Sequence, residues 1–288
     1  MYIYGSFLSQ QGDTVTVHIV TNNDRSQTLE IGSEESDMYF SEDPAEITSE
    51  VNDTFDVLLR QSANIRLLCG NFIEDFFCSS CRDAIINIYI NEKCVFAGFI
   101  EPQAYTQPYN ERWDEIELNC IDVLSALQYS NYKNVGVLGV DYETVRKEAK
   151  ERSFRDIMVE IMQGVAEGVD IIGNKTLPLW YDGSKSVNYM EDNRYRVFSQ
   201  LTISELLFLD EDESDVWTQD AVLEEILKYL NLHIVQDGLD FYIFSWESIK
   251  DAKTSINWHN IMSDEAKTTK TDNITISLAN VADCDTNI

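Results

Sequence analysis

Cys78-Ser-Ser-Cys81 is a spacing that a metal site or a redox pair could use. Zinc requires a second pair at similar spacing, and Cys69 and Cys94 stand singly with no His nearby. A redox pair sits at a helix N-terminus after a strand, whereas Cys81 is followed by Arg82, Asp83 and a predicted strand. The pair reads first as reduced thiols, with metal binding and redox use as the alternatives. Cys120 and Cys284 complete the six, and nothing in their spacing suggests a disulfide framework in a chain of this size. Asp210-Glu-Asp-Glu-Ser-Asp215 places oxygens at Asp210, Asp212 and Ser214 as a calcium loop does. It lacks glycine at the sixth position and an acid at the twelfth, where Ala221 stands, so it reads as a solvated loop. His18 and His233 fall in predicted strands, His259 lies apart from both, and all three read as structural. Trp113, Trp180, Trp217, Trp246 and Trp258 could mark a sugar site, but they are scattered, most inside apolar patterns, and read as core. Nucleophile-elbow, zinc-protease, P-loop and dinucleotide motifs are absent, and with 51 Asp and Glu any carboxylate pair is uninformative as a glycosidase dyad. No catalytic, cofactor-binding or metal-ligating residue is assigned, no cofactor is implied, and the chain reads as a non-enzyme.

Charge narrows the partners. The 288 residues carry a net charge of −30. Glu30 to Asp56 holds ten acids and no Lys or Arg, and Glu205 to Glu225 holds nine acids and again no base. Such a surface repels phosphate backbones and anionic membranes, so stable nucleic-acid binding is not expected. Solubility is one reading of the charge, and a surface that nucleic acid passes without sticking is the sharper one. The opening Met1-Tyr-Ile-Tyr-Gly-Ser6 has no basic region and no long apolar core, and no run approaches a membrane span. The expectation is a chain without signal peptide or membrane segment, made and kept in a cytoplasm.

The elements that must position these residues are mostly strands. Val15, Val17 and Ile19 alternate with Thr14, Thr16 and His18, and Ser9–Asp13 is a turn, which predicts a hairpin of Tyr2–Leu8 with Thr14–Val20. Glu46–Val51 and Asn64–Cys69 are further predicted strands, with a short helical turn at Thr54–Gln61 between them. Ala84–Ile90 and Cys94–Glu101 form the clearest hairpin, and Gly98 inside the second strand marks a bulge or barrel bend. Gln103–Pro108 and Trp113–Ile121 are predicted as the next pair around Asn110–Arg112, followed by a short amphipathic helix at Asp122–Tyr129. Ser153 then opens a helix through Val165 that stops at Gly168. Strand-like pieces follow at Lys175–Tyr181 and Arg196–Leu201. A second helix follows, capped by Thr218, and then a hairpin of Leu232–Gln236 with Phe241–Trp246 around Asp237-Gly238. The last predicted strand is Ile274–Leu278. The fold class is mainly β with α+β: an antiparallel β-barrel-like domain over residues 1–130, a smaller α+β domain over 131–260, and a terminal strand or the start of a further barrel over 261–288.

Two stretches carry a family resemblance. The first runs from Ile85 through Val95-Phe-Ala-Gly-Phe-Ile-Glu-Pro102, with its continuation Ile116–Leu127 ending in Asp122-Val-Leu124. The second is Val222–Phe244, a helix leading into a hairpin. In this order they resemble the hub proteins at the tip of bacteriophage tails (baseplate hub or tail-associated lysozyme hub proteins) and the related spike-bearing hubs of contractile injection and type VI secretion systems. A complete hub usually carries a second barrel, for which 288 residues leave too little chain, so the likeness is to the N-terminal region. The resemblance implies a structural virion protein of the tail, assembled in the bacterial host cytoplasm. It implies a homotrimeric ring with pseudo-sixfold symmetry that caps or continues the tail tube, partners among tail-tube, distal-tail, spike or fibre proteins, and an acidic lumen past which DNA slides. Lytic activity in such proteins sits in appended domains, so no catalytic residue is carried over. Two other readings remain on sequence grounds: a carbohydrate-binding or adhesin module at a cell surface, which would need export, and a hydrolase with an unrecognised site.

Overall fold

Strict alternation of apolar and polar residues builds the first hairpin. β1 (Tyr2–Leu8) and β2 (Thr14–Thr21) pair antiparallel from Tyr2↔Val20 to Leu8↔Thr14, with Val15, Val17 and Ile19 buried on one face. Thr14, Thr16 and His18 take the other face, as a period of two requires. The structure is a computed structural model and describes residues 1–21, 27–50, 53, 55–102, 113–133, 135, 140–173, 177–182, 196–209, 216–251, 255–263 and 266–270. The strand predicted at Gln103–Pro108, the turn at Asn110–Arg112, the Asp210–Asp215 loop, the Ile274–Leu278 strand and Cys284 lie outside these residues.

β3 (Thr28–Glu30), β4 (Met38–Ser49), β6 (Gln61–Cys69), β7 (Ala84–Ile90), β8 (Lys93–Ile100) and β9 (Asp114–Asp122) complete an eight-stranded sheet, in the order β3-β1-β2-β7-β8-β9-β6-β4. All its pairings are antiparallel except β1 with β3. The sheet curls so that its two ends approach each other without pairing as strands. Gly32 N donates to Met38 O at 2.7 Å, and Phe7 of β1 packs edge-on against Phe40 of β4, ring centroids 4.8 Å apart. Gly5 permits this closure, because a Cβ there would stand 2.6 Å from Ile31 Cβ and 2.9 Å from the Phe40 ring. The result is a half-barrel, as the sequence predicts, filled by residues such as Ile3, Val17, Ile65, Ile86, Phe96 and Leu118.

Inside the sheet, Asn91 (φ 48°) and Glu92 (φ 71°) both take left-handed backbone, which makes the β7–β8 turn the mirror-image type that strand twist favours. The register skips between Ile88 and Tyr89, leaving Val95 as a bulge on β8. Gly98 allows β8 and β9 to meet: a Cβ there would lie 2.0 Å from the Ile121 carbonyl oxygen. At the end of β9, Asp122 caps α1 (Val123–Ala126) by accepting from Ser125 N at 2.7 Å. This helix was expected to be amphipathic; instead Val123–Leu127 are buried, because it lies between the half-barrel and a second layer.

The second layer contains α2 (Tyr142–Glu148), β10 (Glu151–Ser153), α3 (Phe154–Ala166), β11 (Leu179–Asp182), α4 (Arg196–Gln200), β12 (Thr202–Ser204), α5 (Gln219–Tyr229), β13 (His233–Asp237), β14 (Asp240–Phe244), α6 (Trp246–Asp251), β15 (Ser255–Asn260) and β16 (Ala266–Lys270). Ser153 caps α3 through its hydroxyl, which accepts from Asp156 N at 3.1 Å, and Gly168 (φ 82°) follows its end. The sheet order is β16-β15-β11-β14-β13-β5, where β5 (Leu58–Leu59) comes from between β4 and β6. Thr54 lies outside the described residues, and within the helical turn expected over Thr54–Gln61 the chain is strand at Leu58–Leu59 instead. Leu58 faces the large core under α3 and α5 while Leu59 faces a smaller one with Trp180 and Trp258, and only extended backbone sends neighbours to opposite sides.

Three further expectations change. Arg196–Leu201, predicted as strand, is helical through Gln200, with Phe198 fully buried edge-on against Tyr181 while Ser199 and Gln200 face out. Thr218 stands at the N-cap of α5, but its hydroxyl bonds the Asp220 carboxylate and makes no cap bond to the backbone. The β13–β14 turn centres on Gly238 and Leu239, one residue later than expected, since Asp237 pairs with Asp240 and Gly238 (φ 60°) takes the first turn position.

Candidate functional site

The Cys-x-x-Cys stretch closes a loop. Asp83 accepts from Ser79 N and Ser80 N, both at 2.8 Å, and Ser80 Oγ accepts from Arg82 N at 3.3 Å, forming a capping box around the single turn Cys81–Asp83. The two thiols enter different cores, Cys78 the half-barrel and Cys81 the layer beside it. Burial pushes the Cys78 thiol up to about 12 and the Cys81 thiol up to about 11, so both hold their protons. Cys69, Cys94 and Cys120 are free thiols as well, and no group of three or more potential metal ligands occurs among the described residues. His233 Nδ1 donates to Asp56 O at 2.7 Å, which tethers β13 to the segment before β5. Trp180 and Trp258 are core residues; Trp113, by contrast, is 45% exposed and packs edge-on against Tyr39.

The outer face of β7 and β8 is where the second layer seats. Asn87, fully buried, donates to Val169 O at 2.9 Å and accepts from Ile171 N at 3.0 Å, so one side chain acts as a short strand edge for the segment after α3. Gln236 does the same from β13: its Nε2 donates to Ala97 O at 2.6 Å and its Oε1 accepts from Val123 N at 2.9 Å. Gly238 comes so close to β8 that a Cβ would lie 2.3 Å from Cys94 O. Arg60 reaches across to Asp220 at 2.9 Å. β8 is therefore buried on both faces, with Phe96 and Ile100 in the half-barrel and Ala97 and Phe99 in the second core.

The edges of the half-barrel are polar. β4 ends the strand order, carries Pro44 where pairing with β6 skips between Phe40 and Ala45, and exposes Glu42, Asp43 and Glu46. Arg66 spans Glu46 at 3.4 Å and Glu117 at 3.2 Å, exposed pairs of small energetic value.

A cluster that the sequence did not reveal lies in the second layer. Glu205 is 4% exposed and accepts from Tyr132 Oη at 2.8 Å, Lys133 Nζ at 2.9 Å, Arg152 Nη1 at 3.2 Å and Lys150 N at 3.2 Å. Burial alone would raise its carboxyl, but the hydrogen bonds from Lys133, Tyr132 and Lys150 N bring it down to about 2. The group lines an 860 Å³ cleft, yet Glu160, which pairs with Arg152 and with Lys133 at 3.4 Å, supplies the second carboxylate, so two cations meet two anions, which suits a structural clamp between β10 and β12. A second groove, of 730 Å³, lies beside Tyr89 and His18 on the outer face of β2 and β7. A search limited to tryptophans passes over it.

No family model matches the chain, and no curated protein matches it. Several solved structures are similar to it. The 43 kDa tail protein of prophage MuSo2 from Shewanella oneidensis is 10% identical, with a TM-score of 0.42 over 70% of this chain and 50% of that one. The tail protein from Neisseria meningitidis MC58 is 10% identical, with a TM-score of 0.35 over 80% of this chain and 50% of that one. Prophage tail protein gp18 from Listeria monocytogenes EGD-e is 7% identical, with a TM-score of 0.35 over 72% of this chain and 46% of that one. The chain thus spans about half the length of these proteins.

Proposed function

We propose that the chain is a structural component of a bacteriophage or prophage tail, forming a trimeric hub ring at the tail tip that caps or continues the tube and lets DNA pass. The observation that carries this reading is how its two hub-like stretches meet. Val95–Pro102 and Ile116–Leu127 contribute β8, β9 and the Asp122 corner of one curled sheet, held together at Gly98. The hairpin of Val222–Phe244 docks directly on β8 through Gln236 and Gly238. The side chains that meet at this joint are spent on positioning, which leaves edges and outer faces for partners. The acid-rich β4 edge and the net charge of −30 fit a wall that nucleic acid passes without sticking.

The test is the mass of the chain in solution, alone and with tail-tube and distal-tail proteins of the same phage. A trimer, or a ring formed only with the tube protein, is expected. A monomer at every concentration that binds neither partner sinks the proposal.

A further inference from the structure

A row of aromatic rings crosses the outer face of the half-barrel. Tyr2 and Tyr4 stack with centroids 5.6 Å apart, Tyr2 and His18 stack at 5.7 Å, and Tyr89 meets His18 edge-on at 5.3 Å. The pattern follows from strand geometry: Tyr2 and Tyr4 share a face of β1, Tyr4 lies opposite His18, and Thr16 lies opposite Tyr89. The row runs into the 730 Å³ groove. Thr14, Thr16, His18 and Tyr89 form one side of it, and the segment that Asn87 clamps to β7 supplies Asp170 and Ile172 opposite.

The chemistry of this groove selects a ligand class. Two rings set at 86° offer a corner against which the C–H face of a pyranose packs. Around the corner stand the hydroxyl of Thr14, that of Thr16, which shares a hydrogen bond with Ser6 Oγ at 2.9 Å, that of Tyr89, which donates to Asn87 Oδ1 at 3.4 Å and keeps its lone pairs, and the carboxylate of Asp170, groups of the kind that fix sugar hydroxyls. Asp170 is held in place by Gly173 N, which donates to it at 2.8 Å, and residue 173 must be small because a Cβ would come 2.3 Å from Asp170 Oδ2. Asn91 is occupied elsewhere, bonding Asp13 and Thr14 N. The groove lining contains Asp170 and Glu92 but neither Lys nor Arg, so an anionic ligand finds two carboxylates and no permanent cation. Burial lowers the His18 pKa, which favours the neutral ring, and raises that of Tyr89, together with Cys94 and Asp170, so its hydroxyl keeps the proton it donates to Asn87 Oδ1. A flat apolar ligand would leave the carboxylate and hydroxyls unmatched, whereas a neutral polyol matches both parts.

We propose that this groove binds a neutral saccharide, one sugar ring stacked against Tyr89 and His18 with its hydroxyls held by Asp170 and the β2 threonines. The groove lies on the outer face of β2 and β7, away from the β4 edge, so sugar binding and ring assembly are read by separate measurements.

Saturation-transfer NMR and calorimetry on the full chain test it, with chitotetraose, cellotetraose and maltotetraose as neutral probes and sialyllactose as the charged one. At least one neutral probe is expected to bind with Kd of about 0.1–1 mM, saturation falling on ring C–H protons. Tyr89→Ala and Asp170→Asn should each weaken that binding by roughly tenfold or more, while Tyr89→Phe keeps the stacking and most of the affinity. If Tyr89→Ala fails to fold, Thr16→Val on the outer strand face takes its place, with a loss of about threefold or more expected. The proposal is overturned if no neutral probe binds up to about 10 mM, or if sialyllactose binds as tightly as the best neutral probe. It is overturned equally if binding survives both groove substitutions in folded protein, or if the face captures a tail protein and no sugar.

Discussion

At the scale of single residues, the sharpest expectations concern close approaches and buried charge. Gly98 faces a backbone oxygen that no rotamer change can move, so Gly98→Ala should lower unfolding free energy by about 1–3 kcal/mol in urea titration, with the strand pair β8–β9 shifting to accommodate it. This position was legible, since an interior strand glycine has few other reasons to be there. Glu205 was not, because an acid within an acidic run looks solvated, and its partners Tyr132, Lys133 and Arg152 lie far from it along the chain. Its folded pKa of about 2 lies below the ordinary 4.5, so its stabilisation is complete above pH 4.5 and is lost as pH falls toward 2. Glu205→Gln should flatten the acid limb of the stability curve in that window. Asp122 behaves oppositely. Burial raises its carboxyl from 3.8 to about 6 despite bonds from Ser125 N and Gln61 N, so this group's contribution to stability is greatest below pH 3.8 and is lost as pH rises through about 6. Asp122→Asn should remove that decline, and the two variants together separate the opposing slopes in chemical denaturation between pH 2 and 7.

At the scale of elements, hairpins were read from the sequence because their signal is local: alternation on each arm and turn residues between. β1–β2 and β7–β8 appear with bounds within a residue or two of those expected. β5 and α4 were misread because each is too short to carry a period, and its conformation is decided by a distant partner: Ile234 and Val235 for β5, Tyr181 for α4. Asn87 shows the same limit from another side. An asparagine within an apolar strand suggests an outward, wet position, yet it is buried and supplies hydrogen bonds that a strand edge would. Asn87→Ala should cost about 1–3 kcal/mol and raise amide exchange at Ile171 more than at the centre of α3, as hydrogen-exchange mass spectrometry would report. Equal protection at Ile171 in both proteins would remove the clamp from the account of the groove.

At the scale of the whole molecule, charge and topology set the behaviour of assemblies. Copies that meet through edges like that of β4 must bring like charges together, and salt shortens the reach of that repulsion from about 30 Å at 0.01 M to about 8 Å at 0.15 M. Under the proposed hub reading, association should therefore strengthen across that range in sedimentation velocity, whereas an interface built from opposite charges would weaken. The −30 net charge was legible at once; which acids are exposed was not, as Glu205 shows. Topology adds a matter of timing. β5 sits in the chain just before β6, but its sheet partner belongs to β13, and the tether from His233 to Asp56 O spans 177 residues. During synthesis at roughly 5–20 residues per second, Leu58 and Leu59 leave the ribosome about 10–35 s before the strand they pair with exists. For that interval two adjacent leucines, later buried, have no sheet to join, so the nascent half-barrel exposes apolar surface until β13 arrives.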